Sequence, residues 1–180
     1  MPNWVALFRG VNVGGKNKMP MADLKRMFER LNCENVQTYI QSGNVVFSSK
    51  VKTKRILSNR LLNATEEAFG FRPQLILLSA IELTDAVKGN PFSHAVDDPK
   101  SLHFFFLESK PASPDIEGIT EKAVESEQFE LIDSTFYLHA PNGIGRSKLA
   151  AVAERKLGVS ATARNYSTVG QLMAILAERV

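Results

Sequence analysis

Residues 36–48 read VQTYIQSGNVVFS, and this stretch decides the fold. Val36 to Gln41 alternates apolar and polar residues, the period of a strand with one wet face. Ser42-Gly43 turns the chain and Asn44 to Ser48 returns it, which predicts a β-hairpin. Upstream, Pro20 opens a helix at about its first position, where a missing N–H costs little. Met21, Leu24, Met27, Phe28 and Leu31 then recur every three or four residues along one helical face. Before that helix, Trp4 to Gly10 is a short apolar run that reads as a strand. Downstream, Lys52 to Phe69 carries a helical stripe of Leu57, Leu61, Ala64 and Ala68, and Gln74 to Leu78 is a fourth strand. The order βαββαβ is that of the split-βαβ, ferredoxin-like unit.

The same order returns in the second half. Ala80 to Lys88 is a short helix, broken at Asn90-Pro91 and again at Asp97-Asp98-Pro99. A strand at Leu102 to Leu107, a helix at Pro114 to Glu125 and a hairpin of Phe129 to Ile132 with Phe136 to Leu138 follow. A helix from Ser147 to Leu157 stops at Gly158, a residue suited to a helix C-terminus. Ala161 to Asn165 is extended, and a last helix covers 168–179. The predicted class is α+β: two tandem split-βαβ (ferredoxin-like) lobes with mainly antiparallel sheets and extra helices. The first lobe spans 1–79, a helical linker 80–100, and the second lobe with its C-terminal helix 101–180.

Trp4, Ala6 and Phe8 point to one face of the first strand and Val5 and Leu7 to the other. A strand apolar at both parities is covered on both sides. The helices of a lone split-βαβ unit cover one face. The other must meet the second lobe, an added helix or another subunit.

The 180-residue chain is 44% apolar and 23% charged, an ordinary globular composition. No apolar run approaches the roughly 18–20 residues that span a bilayer, and Met-Pro-Asn-Trp does not begin a signal peptide. The single cysteine, Cys33, fits a reducing, cytoplasmic setting. Charge is uneven. Residues 1–79 hold 12 Lys/Arg against 5 Asp/Glu, and residues 80–180 hold 10 against 14. A positive front half favours phosphates or nucleic acid as partners.

Gly10 to Lys16, GVNVGGK, fits G-x-x-x-x-G-K between a strand and a helix. Asn17 stands where a phosphate-binding P-loop needs Ser or Thr for Mg²⁺, and the element order is wrong for that fold, so nucleotide hydrolysis is not expected. A weaker reading survives. Gly14 and Gly15 let main-chain N–H groups face a ligand, and Arg9, Asn12, Lys16, Asn17 and Lys18 surround them near a helix start. The plain alternative is a glycine turn with solvated lysines. A second loop, NGIGRSK (142–148), places Arg146, Ser147 and Lys148 at another helix start, where cations oppose the helix dipole.

These segments carry a resemblance. FRGVNVGGKNKMPMADL (8–24), TYIQSGNVVFSS (38–49), GRSKL (145–149) and TARNYSTV (162–169) together resemble the domain of unknown function 1697 family. The family pattern near the C-terminus reads TTRNWNT, from which Ala163, Tyr166 and Ser167 depart. The resemblance implies a bacterial-type cytosolic α+β protein and brings no activity, cofactor or catalytic residue.

Arg164 and Asn165 could complete an anion site, or Arg164 could pair with an acid of the rear half. Gln41 and Asn44, flanking the first hairpin turn, could read an amide or base edge, or simply shape the turn. His94, His103 and His139 are scattered without metal-ligand spacing, and no catalytic motif is present. Three functions stay open. The first is a small phosphorylated ligand held at the glycine-and-basic loops. The second is nucleic acid stacked on Trp4, Phe8, Tyr39 and Phe47. The third is an assembly role through the uncovered sheet face.

Overall fold

A computed structural model describes residues 1–179. The elements are β1 (Asn3–Arg9), α1 (Met21–Arg30), β2 (Glu34–Tyr39), β3 (Asn44–Ser48), α2 (Lys54–Phe69), β4 (Gln74–Ser79), α3 (Ala80–Lys88), β5 (Leu102–Leu107), α4 (Ile116–Thr120), β6 (Gln128–Ile132), β7 (Thr135–His139), α5 (Lys148–Leu157), β8 (Ala161–Asn165) and α6 (Tyr166–Ala177). They form two four-stranded sheets, ordered β2-β3-β1-β4 and β6-β7-β5-β8. Every strand pairing is antiparallel. The fold is therefore α+β with βαββαβ laid down twice in the same strand order, each copy followed by an extra helix. Among the described residues, no helix is long and apolar enough to cross a membrane.

By compactness the chain divides into Met1–Asp85 with the segment from Gln171 onward, and Ala86–Gly170. The boundaries fall inside α3 and α6. The last turns of α6 thus group with the first unit, whereas the sequence reading attaches them to the second lobe.

In the first unit, Trp4, Ala6 and Phe8 of β1 pack with Val45 and Phe47 of β3 against Leu24 and Phe28 of α1 and Leu57 and Leu61 of α2. The Phe28 ring meets Phe8 and Phe47 edge-on, with centroids 6.3 and 4.8 Å apart. Val5, Leu7 and Val46, at the opposite parity, are also fully buried. Both faces of the first sheet therefore carry buried apolar residues, as the two-sided apolar pattern predicts. Trp4, Phe8 and Phe47 lie in the helix-packed core, so they offer no surface on which bases could stack.

Pro20 stands one residue earlier than expected. It is the N-cap of α1, in extended backbone with ψ 133°, and its carbonyl accepts from the Asp23 and Leu24 amides. β2 also starts earlier, at Glu34, because a bulge between Glu34 and Gln37 interrupts the alternation that marks a strand.

In the second unit, Phe105, Leu107, Phe136 and Leu138 pack against Leu149, Ala153 and Leu157 of α5. On the other face Phe104 meets Tyr137 edge-on at 4.8 Å, and the Tyr137 hydroxyl donates to the Ala86 carbonyl (2.6 Å). The predicted helix over 114–125 shrinks to α4, five residues long. Asp115 caps it by accepting from the Gly118 amide (2.9 Å) and from Lys156 Nζ (2.6 Å), and turns at Lys122 and Ala123 end it.

Candidate functional site

The loop after β1 is built by one side chain. Asn12 Oδ1 accepts from the Met19 amide (2.7 Å), while its Nδ2 donates to the carbonyls of Met19 (2.9 Å) and Gln41 (2.8 Å). The Asn12 amide donates to Asn17 O (3.0 Å), and Asn17 Nδ2 donates back to Gly10 O (3.0 Å). An asparagine suits both places, since Asn12 and Asn17 take φ of +55° and +50° and asparagine tolerates that region best among residues with a side chain. At the tip the Lys16 amide donates to Val13 O (3.0 Å) around Gly14-Gly15, whose φ of +58° and +73° match a type I′ turn. The Lys16 amide is thus spent on the loop itself and does not join a phosphate cradle. Lys16 and Lys18 are exposed, and Arg9 Nη1 donates to Gln74 Oε1 (3.0 Å).

The 40–44 turn is clamped to this loop. Besides the Asn12–Gln41 contact, the Phe8 amide donates to Gly43 O (2.9 Å). Gln41 therefore takes part through its carbonyl. Asn44 is fully buried and donates to Tyr39 O (3.1 Å) and Ser42 Oγ (3.0 Å), so it shapes the turn. Ile40 is 51% exposed at φ +50°, a strained conformation for a β-branched residue. Of the expected site residues, the fold brings Arg9, Asn12, Gly14, Gly15, Lys16, Asn17, Lys18, Gln41 and Asn44 into the first unit's joined loops.

Arg146, Ser147, Lys148, Arg164 and Asn165 belong to the second unit. Ser147 is buried and caps α5, accepting from the Ala150 amide (3.0 Å). Asn165 Oδ1 accepts from the Thr168 amide (2.9 Å) at the start of α6. Arg146 and Lys148 are exposed. Arg164 is half-buried and donates to Thr162 Oγ1 (2.8 Å) and Ala163 O (2.9 Å), and burial lowers its guanidinium to about 10.

The sequence profile of a family described as "Protein of unknown function (DUF1697)" matches residues 1–137. The chain belongs to that family. The match takes in the first two motifs and ends before GRSKL and TARNYSTV, so it is narrower than the near-complete coverage those motifs suggest. No curated protein matches this DUF1697 chain. A conserved bacterial protein, SP0830 from Streptococcus pneumoniae, has a similar structure, with TM-score 0.74 and 24% identity over 97% of this chain and 98% of that one. The likeness speaks to the fold.

One cluster in this DUF1697 protein escapes sequence reasoning. His94 and His139, 45 positions apart, place their rings edge-on at 5.2 Å in the second unit, beside Phe92. No motif signals a pairing made by folding alone. Among the described residues no three His, Cys, Asp or Glu side chains gather as a metal would need. Burial pushes the Cys33 thiol up to about 11, so it is protonated at neutral pH.

Burial, then the neighbouring His94, lowers the pKa of His139 against an opposing pull from Asp98. Burial likewise lowers that of His103, against a backbone contact at Lys100. Among the described residues, the buried His103 has no partner for Nε2 and His139 has none for Nδ1. Both groups bind protons less readily folded than unfolded. Stability is therefore complete above the unfolded histidine pKa of about 6.5 and falls as pH drops from there toward the folded values. Urea denaturation at pH 7.5 and 5.5 should give a lower midpoint at pH 5.5, with a shallower loss in His139→Gln. Equal midpoints in the parent protein would contradict this account.

Proposed function

We propose that this protein binds a small anionic, phosphorylated ligand, with the joined 10–18 and 40–44 loops of the first unit as the binding element. The observation that supports this is the Asn12 clamp. Three side-chain bonds from Asn12 to Met19 and Gln41 close the base of the loop that carries the glycine turn and two exposed lysines, Lys16 and Lys18. A loop ordered before binding spends less entropy when a ligand arrives. Two cations within one short loop suit a phosphate. Arg146, Lys148 and Arg164 are proposed as a second basic element.

A thermal-shift panel of nucleotides and sugar phosphates tests the reading. At least one should raise the melting temperature by several degrees at saturating ligand. The shift should vanish in Lys16→Ala/Lys18→Ala. No stabilisation by any compound, or an equal shift in the double variant, would refute the proposal. An Arg146→Ala/Lys148→Ala variant reports separately on the second element.

A further inference from the structure

We propose that the ligand of the joined loops carries an apolar group beside its phosphate, and that Val13 and Ile40 contact that group. This rests on the loops as the phosphate-binding element and goes further, to the chemical class of what they bind.

The first observation lies at the tip of the 10–18 loop. Val13 and Lys16 stand opposite each other in an antiparallel bridge across Gly14-Gly15. Residues directly opposite in such a pair send their side chains to the same face, with Cβ atoms about 4.5–5.5 Å apart. Lys16 is exposed and Val13 is 66% exposed. The turn therefore presents a cation and an aliphatic side chain side by side. A valine left in water contributes no burial to the fold.

The second observation is Ile40. Among the described residues, every other non-glycine position with positive φ holds an asparagine or an aspartate: Asn12, Asn17, Asn32, Asn35 and Asp133. Short polar side chains tolerate the left-handed region, and a β-branched one strains in it. Ile40 occupies it at φ +50° while 51% exposed, so burial does not explain the choice. Strain kept without a return in packing gathers at ligand sites.

The clamp brings the two turns together. Asn12 Nδ2 donates to Gln41 O (2.8 Å), and the exposed aliphatics are the chain neighbours of these two residues. Exposed aliphatics alone would suit any apolar partner. The ammonium groups of Lys16 and Lys18 on the same loop select an anionic head. The ligand class is thus a phosphate monoester with an apolar substituent, its phosphate taken by the lysines and its chain by Val13 and Ile40.

The test is a ¹⁵N–¹H NMR titration of the full chain with methyl phosphate and with n-hexyl phosphate below its aggregation concentration. Saturable shifts are expected at Val13, Gly14, Lys16, Ile40 and Gln41. Hexyl phosphate should bind about tenfold more tightly, a gain that about two buried methylenes supply. In Val13→Ser/Ile40→Asn that preference should fall to within about twofold. Lys16→Ala/Lys18→Ala should lose hexyl phosphate, and binding retained there would mean that the chain alone is held, which overturns the proposal. Ile40→Asn should raise the urea midpoint, because asparagine relieves the strain. A lower midpoint would assign Ile40 to stability and overturn the proposal. Equal affinity for the two esters, or an undiminished preference in Val13→Ser/Ile40→Asn, would overturn it and leave the loops as a phosphate site. Binding of neither ester at these residues would remove both readings. Binding only to vesicles containing phosphatidic acid would make the loops a membrane contact and overturn this one.

Discussion

Gly43→Ala is expected to destabilise the first unit by about 2–5 kcal/mol. A Cβ at position 43 would stand 2.8 Å from Phe8 Cβ and 2.9 Å from Val11 Cγ2. Phe8 Cβ is rooted in the central strand, and Val11 is only 2% exposed, so neither can swing aside. The clash adds to a backbone cost, because φ is +75°. The left-handed region costs a residue with a side chain about 1–2 kcal/mol, and overpacking a tight site a further 1–3 kcal/mol. Gly15→Ala is the control. Its φ is also positive, but nothing lies within 4 Å of the added carbon. It should lose only the conformational part, about 1–2 kcal/mol. Urea denaturation at 25 °C of the three proteins measures the difference. Equal losses in the two variants would show that the approach of the turn to Phe8 is not tight.

The second large effect is expected at Asn12. Asn12→Ala removes three side-chain hydrogen bonds and leaves the amide of the fully buried Met19 without its acceptor. A stranded buried donor costs about 1–3 kcal/mol, and the lost bonds to two carbonyls add to it, for a total of about 2–4 kcal/mol. Asn12→Asp discriminates further. A carboxylate can still accept from the Met19 amide, but it cannot donate to the carbonyls of Met19 and Gln41 and places negative charge against both. Aspartate should therefore restore little. Hydrogen exchange at the Met19 amide is the sensitive readout, since that proton should exchange much faster in Asn12→Ala, which removes its acceptor. Slow exchange in Asn12→Ala would mean that the loop holds itself without the clamp.

The order of elements was legible because each carried its own local signal. The hairpin at Ser42-Gly43, the stripe from Met21 to Leu31 and the Gly158 stop depend on neighbours a few residues away. The parity of β1 likewise placed Trp4, Ala6 and Phe8 on one face. Where the chain breaks its own period, the reading slipped. The bulge at Glu34–Gln37 hid the start of β2, and α4 lost its expected length because Asp115 and the turns at Lys122 and Ala123 confine it. The candidate site was legible as residue types and illegible as roles. Whether Asn12, Gln41, Asn44, Ser147 or Asn165 faces a ligand or a backbone amide depends on partners up to 29 positions away, as for Asn12 and Gln41. The His94–His139 pair depends on tertiary structure entirely.

The repeated strand order has a consequence for where specialisation occurs. By topology, the counterpart of the glycine loop after β1 is the connection after β5, which begins Glu108-Ser109-Lys110-Pro111 and has none of its character. The NGIGRSK segment follows β7, whose counterpart β3 leads into Ser49-Lys50-Val51-Lys52-Thr53. The two basic corners thus occupy non-equivalent positions in the repeated strand order, so a change in either has no topological counterpart in the other.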